Sequence, residues 1–220
     1  AVPALERMNE APSVTERADG YVQDLASQWV AGAVGAQRGD RILDVCAAPG
    51  GKALALAATG ATVVASDIRA HRAGLVAANA RGRSEVAVLV ADGLAAPFRP
   101  GSFDRVLVDA PCSGLGVLRR RPDARWRIDE ASVDRLASVQ RTLIDAAASL
   151  VRPGGHLVYS VCTLTDAEGP AIDAALAIDR PDLVPEPVPD GPWRRVGRGA
   201  RLLPQDADTD GMYLLHLRRT

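Results

Sequence analysis

Aromatic residues are scarce: two Phe, three Tyr and three Trp supply only 4% of the 220 residues. A core for such a chain has to be built from Ala, Val and Leu, which suits helices packed on a parallel sheet better than an aromatic-rich sandwich. Cysteine is scarce too. Three is an odd number and too few for a disulfide framework, so a reducing compartment, the cytoplasm, is expected. No apolar run reaches spanning length and no signal peptide is visible, so no membrane partner is expected. Lysine is almost missing, since Lys52 stands alone among 26 basic residues. The spaced glycines of G-x-G-x-x-G are missing as well, which argues against a dinucleotide site. No metal site is expected.

The content that remains is 47% hydrophobic, enough for one globular domain with a full core. The net charge of -1 hides an uneven distribution. Residues 117–127 hold five arginines against one aspartate, and residues 191–201 hold four arginines and no acid, so a polyanionic partner is not excluded. Short apolar runs alternate with amphipathic stretches, the pattern of a doubly wound α/β fold. Strands are expected at 41–46, 62–67, 86–90, 104–109 and 156–161, and helices at about 21–35, 51–58, 69–80, 130–151 and 166–178. Pro181 to Pro192 breaks the pattern, and MYLLHLR at 212–218 reads as a last strand. Gly154 and Gly155 predict a tight turn into the fifth strand.

LDVCAAPGGK, residues 43–52, is the strongest single feature. A strand ending in an acid, then small residues, then PGGK opening a helix, lets backbone approach a ligand closely at a helix N-terminus. Asp67 ends the next strand about 20 residues on, where an acid can accept hydrogen bonds from ribose hydroxyls. Asp92 and Asp109 follow the third and fourth strands. With Asp44, that places four acids on one edge of the sheet, the crevice where such folds bind ligands. Helix and turn capping would explain any one of them, but not four together. A ligand with ribose and adenine but no phosphate fits this loop, and S-adenosylmethionine (SAM) is such a ligand. The lone Lys52 fits a need for a compact ammonium rather than a planar guanidinium fork.

Two thiols follow strand-like stretches: Cys112 in DAPCSG and Cys162 in YSVCT. Both are expected to project into the same crevice, and spacing alone does not choose the nucleophile between them. Cys46 lies in the loop, where its backbone matters more than its sulfur.

With VQD at 22–24, DVCAAPGGK at 44–52, SDIRAHR at 66–72, ADG at 91–93, DAPCSGLG at 109–116, RRRPDARW at 119–126, YSVCT at 159–163 and DGMYLLHL at 210–217, the chain resembles a known family over nearly its whole length. It resembles the RNA cytosine-5 methyltransferases of the RsmB/Sun (Fmu) group and their eukaryotic Nop2/Sun relatives. The resemblance implies an α/β, Rossmann-like class I SAM-dependent methyltransferase fold, with a mostly parallel sheet and an antiparallel C-terminal strand. It implies that Cys46, Ala47, Ala48, Pro49, Gly50, Gly51 and Lys52, with Asp67, Asp92, Gly93 and Asp109, hold the cofactor and that Arg72 supports them. It also implies one catalytic domain over residues 1–220, with 1–40 a helical lead-in and no separate RNA-binding domain.

The chemistry explains two thiols and an acid. Carbon 5 of cytosine is a poor nucleophile, so a thiolate adds first to carbon 6 and turns the ring into an enamine that takes the methyl group. Asp109, with Lys52 as partner, is expected to stabilise the charge that develops at the ring nitrogen. DNA cytosine methyltransferases attack with the Pro-Cys thiol, which would favour Cys112. The RNA family resembled here attacks with the later cysteine, which carries Cys162 over as nucleophile and Cys112 as the helper in release. The sequence departs from the family pattern at Val161 and Thr163 around the nucleophile, at Gly169 in place of an asparagine, and at Met212 and Tyr213 in place of two phenylalanines.

Arg119, Arg120, Arg121 and Arg125 are expected to contact RNA phosphates with the Trp126 indole stacked on a base. For the tryptophan, inward packing over a solvated charged face carries the greater weight. Neutralising four to six phosphates would give a salt slope of about -0.7 per phosphate on single strands. Ribosomal RNA, of the small subunit, is the first expected substrate and transfer RNA the second. A catalytically silent SAM-binding assembly factor is the rival from another class, and it predicts loss of Cys162 or Asp109.

Overall fold

Short runs rich in Val, Leu and Ala become parallel strands in the computed structural model, which describes residues 2–220. These are β1 (Arg41–Asp44), β2 (Thr62–Asp67), β3 (Val86–Val90), β4 (Phe103–Asp109) and β5 (Val151–Val161). Helices lie between them: α1 (Val2–Arg7), α2 (Leu25–Ala33), α3 (Gly51–Ala57), α4 (Ala70–Asn79), α5 (Ala124–Arg127), α6 (Glu130–Leu150) and α7 (Pro170–Asp179). The C-terminal part adds β6 (Leu183–Pro185), β7 (Arg194–Val196), β8 (Gly199–Leu202), α8 (Pro204–Ala207) and β9 (Met212–Arg219).

One nine-stranded sheet runs in the order β3-β2-β1-β4-β5-β9-β8-β7, with β6 also paired to β9. Strands β1 to β5 pair with one another in parallel, as expected. The order reverses between β1 and β4, so their carboxyl ends, Asp44 and Asp109, flank the switch point where such sheets bind ligands. The antiparallel part is larger than one strand. β9 pairs with β5, and its other edge carries β8 near Met212 and β6 near Arg219. β6 lies inside the proline-rich stretch, as an edge strand where Pro185 forgoes a ladder hydrogen bond.

The core occupies both faces of the sheet. One cluster joins Val106, Tyr159 and Leu215 to Leu143, Ile144 and Ala147 of α6, and the other joins Ile42, Val63 and Leu107 to α2 and α3. Asp129 caps α6 by accepting from Ser132 N–H at 2.8 Å. The fully buried Gln140 interrupts the apolar face of that helix, a polar exception that points to a site nearby. Three expectations are corrected. β1 stops at Asp44 and leaves Cys46 in the loop. β5 starts at Val151 and runs through the Gly154–Gly155 turn. The lead-in is helical only over α1 and α2, with an extended stretch and a Glu16–Val22 bridge between them. Residue 1 lies outside the described residues.

Candidate active site

The four strand-end acids have four different environments. Asp67, 5% exposed, accepts from Arg69 N–H and from Arg72 Nε, each at 3.0 Å. Arg72 also donates to Ala48 O at 3.1 Å, which ties the CAAPGGK loop to β2. Asp92 accepts from Leu94 N–H at 2.9 Å and so shapes the turn at Gly93. Asp109 accepts from Ser160 Oγ at 2.7 Å and from Lys52 Nζ at 2.6 Å. Burial works against the Lys52 ammonium, but the charge and hydrogen bond of Asp109, aided by Asp44, outweigh it and raise its pKa. Asp44 is 1% exposed and neither carboxyl oxygen has a partner. Burial, then the Asp109 charge, pushes its pKa up to about 7 against the opposing pull of Lys52.

Above these acids lies a cleft of about 630 Å³ that includes Cys46, Ala48, Asp67, Arg72, Asp92, Gly93, Asp109, Cys112 and Cys162 in its lining. Ile68 and Leu94 line it while 60% and 46% exposed. Two apolar side chains held open beside Asp67 and Asp92 suit a flat heterocycle joined to a ribose, and the carboxylates suit a cationic sulfur. The expected cofactor therefore fits the residues present. A Cβ on Gly93 would fall 2.5 Å from Val45 Cγ1, so only glycine lets the chain pass there. Ala47, Pro49, Gly51 and Lys52 line a second cavity of about 210 Å³, which Asp109, Cys46 and Ala48 share with the first. Gly50 lines neither. It caps α3 at φ 109° under Val76.

The two thiols expected to share the crevice do so, with Cys112 Sγ 3.2 Å from Cys162 Sγ. The Cys112 pKa is raised well above the thiol range by its hydrogen bond to Cys162, then by burial, with the Glu168 charge acting in the same direction. Burial and the neighbouring aspartates push Cys46 up to about 12, which leaves that thiol inert.

Below the thiols is a polar cluster that sequence reasoning did not assign: Ser113, Gln140, Tyr159, Thr163, Thr165 and Glu168. The signal available for it was a glutamine on an apolar helix face. Gly116 was also unassigned, although its N–H donates to Cys162 O at 2.9 Å. Two departures from the family pattern are neighbours, since a Cβ on residue 169 would stand 3.0 Å from the Tyr213 ring. Thr163 keeps a hydroxyl beside Cys162, bonded to Ser113 Oγ at 2.8 Å.

The arginine cluster needs correction. Arg119 is buried and donates to Asp208 at 2.8 Å, so it faces the interior and not a phosphate. Arg120 bridges Asp24 and Asp210, and Arg125 donates to Met8 O and Asn9. Arg121 is exposed on the cleft lining with no side-chain partner among the described residues. Trp126 is 88% exposed, so its indole points outward and inward packing is overturned.

Comparison with known proteins follows from this geometry. The family described as 16S rRNA methyltransferase RsmB/F matches residues 31–218. A Mycobacterium tuberculosis protein named only as a methyltransferase is similar at 46% identity over 215 residues, covering 90% of this chain and 46% of its own. Ribosomal RNA small subunit methyltransferase B of Thermus thermophilus is 38% identical over 198 residues, covering 90% of this chain and 49% of its own. The chain spans about half the length of these curated relatives. NSun6 from Pyrococcus horikoshii, solved with the SAM analogue SFG, matches with a TM-score of 0.77 at 29% identity, over 90% of this chain and 53% of that one.

Proposed function

Because the chain belongs to the RsmB/F family of 16S rRNA methyltransferases, we propose that it methylates carbon 5 of a cytosine in small-subunit ribosomal RNA through a covalent bond between Cys162 and carbon 6. SAM is the cofactor, and when bound it supplies an electrophilic methyl group. The observation that carries the reading is a pair of thiols 3.2 Å apart, lining the same cleft as Asp109, which is paired with Lys52.

The roles follow from the contacts. Cys162, as thiolate, forms the bond to carbon 6, and the displaced π pair moves toward N3, which takes a proton from the Lys52–Asp109 pair. Ser160 and Lys52 hold Asp109 at the end of β4 for that task. Once carbon 5 has gained its methyl group the N3 proton returns to the pair. The carbon 5 proton then leaves to solvent, its electron pair restores the C5–C6 double bond, and the carbon 6–sulfur bond breaks with its pair going to Cys162. The Cys112 S–H donates a hydrogen bond to that departing sulfur, which explains a thiol that keeps its proton. Trp126 and Arg121 receive the RNA beside the cleft, and a target base leaving its stack at a cost of a few kcal/mol favours loops or bulges. The presence of both Cys162 and Asp109 argues against a silent assembly factor. Among the described residues, no helix is long and apolar enough to cross a membrane and no cluster of side chains is built to hold a metal.

The test is methyl transfer from labelled SAM to unmodified small-subunit RNA, with the product located by bisulfite sequencing. Cys112→Ala should accumulate a protein–RNA adduct on a denaturing gel and Cys162→Ala should form none. The reverse pattern would overturn the assignment of the two thiols.

A further inference from the structure

Glu168 has no exposed surface, and among the described residues its carboxylate is met by uncharged donors only. Oε1 accepts from Ser113 N–H at 2.8 Å and Gln140 Nε2 at 3.0 Å, and Oε2 accepts from Ser113 Oγ at 2.6 Å and Thr165 Oγ1 at 2.9 Å. The directions are determined. Ser113 gives its hydroxyl proton to Glu168 and so accepts from Thr163 Oγ1 at 2.8 Å. Gln140 uses the other amide proton on Pro111 O at 2.9 Å, and Tyr159 donates to Glu168 O at 2.6 Å. Pro111 and Ser113 flank Cys112, and Thr163 follows Cys162. The Glu168 carboxylate thus joins both thiol-bearing loops to α6 through Ser113, Thr165 and Gln140, and its main-chain carbonyl ties the residue to β5 through Tyr159. Burying such a charge costs several kcal/mol without a cation, more than loop closure by neutral groups would require.

We propose that Glu168 is a positioning residue for the thiol pair: it sets Cys112 against Cys162, and its charge keeps the proton they share on Cys112, leaving the Cys162 sulfur free to attack. The proposal rests on the reading of these thiols as the reactive pair. The raised Cys112 pKa, to which Glu168 adds, agrees with it. Cys112 shares the cleft lining with the acids Asp67, Asp92 and Asp109 and with Arg69, Arg72, Arg121 and Arg127.

The experiment needs no RNA, so its failure is separate from failure of the proposed reaction. In a Cys162→Ser chain, alkylation of Cys112 by iodoacetamide is followed against pH by mass spectrometry of the peptide that carries it, which keeps its signal separate from that of Cys46. Glu168→Gln keeps the shape and loses the charge. Its amide can donate to the Ser113 and Thr165 hydroxyls, which rotate to accept. Alkylation of Cys112 at neutral pH should then rise on the order of tenfold, one pKa unit, while Glu168→Asp should stay within about twofold of the parent because the charge remains. Equal rates in Glu168→Gln and the parent would overturn the proposal, as would an equal rise in Glu168→Asp. If the Gln variant fails to fold, the carbon chemical shift of the Glu168 carboxyl in the parent decides: it must report an ionised carboxylate while Cys112 still holds its proton, and a neutral Glu168 is fatal.

Discussion

Gly116 offers a severe test of the packing around the proposed nucleophile. A Cβ built there would lie 2.1 Å from Gly211 O, 2.8 Å from Gly211 C and 2.9 Å from Cys162 O. All three are backbone atoms, so no flexible side chain can give way. Gly116 N–H donates to Cys162 O and Gly211 N–H donates to Gly116 O, each at 2.9 Å, so relieving the clash stretches the bonds that hold both segments. Overpacking costs about 1–3 kcal/mol, and each weakened hydrogen bond adds about 1 kcal/mol. Gly116→Ala should therefore destabilise the chain by about 3 kcal/mol or more, lowering Tm by roughly 6–12 °C for a domain of this size. Adduct formation should fall with it, because the Cys162 carbonyl has to move. Gly74→Ala is the control: Gly74 lies exposed in α4 with nothing within 4 Å of a new Cβ. The same chemical change there should stabilise by about 0.5–1 kcal/mol through helix propensity. Urea unfolding with m held constant reads both. A Gly116→Ala chain that melts with the parent would refute the account of how the loop after β4 is held against Cys162.

Asp44→Asn tests the buried unpartnered carboxyl. Because its folded pKa of about 7 lies above the ordinary 3.8, the folded chain holds that proton more tightly, and stability falls as pH rises between the two values. Removing the charge should stabilise the protein by up to about 4 kcal/mol above pH 7 and by little near pH 4; equal shifts in urea midpoint at both pH values would refute it. Trp126→Ala should weaken single-stranded RNA binding by about 1–3 kcal/mol with Tm unchanged, whereas Arg119→Ala should lower Tm. Arg121 and Arg69 line the cleft exposed and without a side-chain partner among the described residues, so the salt slope for this chain should be close to that of one or two phosphates, about -0.7 each, and a slope reaching that of four would restore the wider arginine contact.

The parallel half of the fold was legible because each of its strands contains a short apolar run, and β1, β2 and β4 end in an acid. β9 was legible for the same reason, since Tyr213, Leu214, Leu215 and Leu217 are apolar and buried. The β7–β8 hairpin was not. Its strands, RRV and GARL, are short and arginine-rich, and their pairing is fixed by β9 rather than by their own pattern. The cofactor loop and the two thiols were legible as motifs, but their separation was not, because it depends on a carboxylate 56 and 6 residues away in sequence from Cys112 and Cys162. Glu168 is present as the family pattern has it, beside the departure at Gly169, but the sequence assigns it no role. Its role emerges only once Ser113, Gln140 and Thr165 converge on it.

The arginine clusters show why charge along a chain does not assign a partner. Residues 117–127 look like a phosphate-binding run, yet Arg119 and Arg120 reach acids 89 and 90 residues away and Arg120 also reaches Asp24. Those contacts fasten the loop after Cys112 to the segment before β9 and to the N-cap of α2, around the cavity that contains Lys52. In the proposed reaction Lys52 needs a rigid wall, because its ammonium would have to stay on Asp109 while a neutral base enters beside it. The arginines supply that wall through bidentate and bridging contacts that a flexible ammonium would not make. The composition, one lysine among arginines, then has a physical division of labour: guanidinium forks brace the loops, and the single compact ammonium stands where the proposed reaction shares a proton.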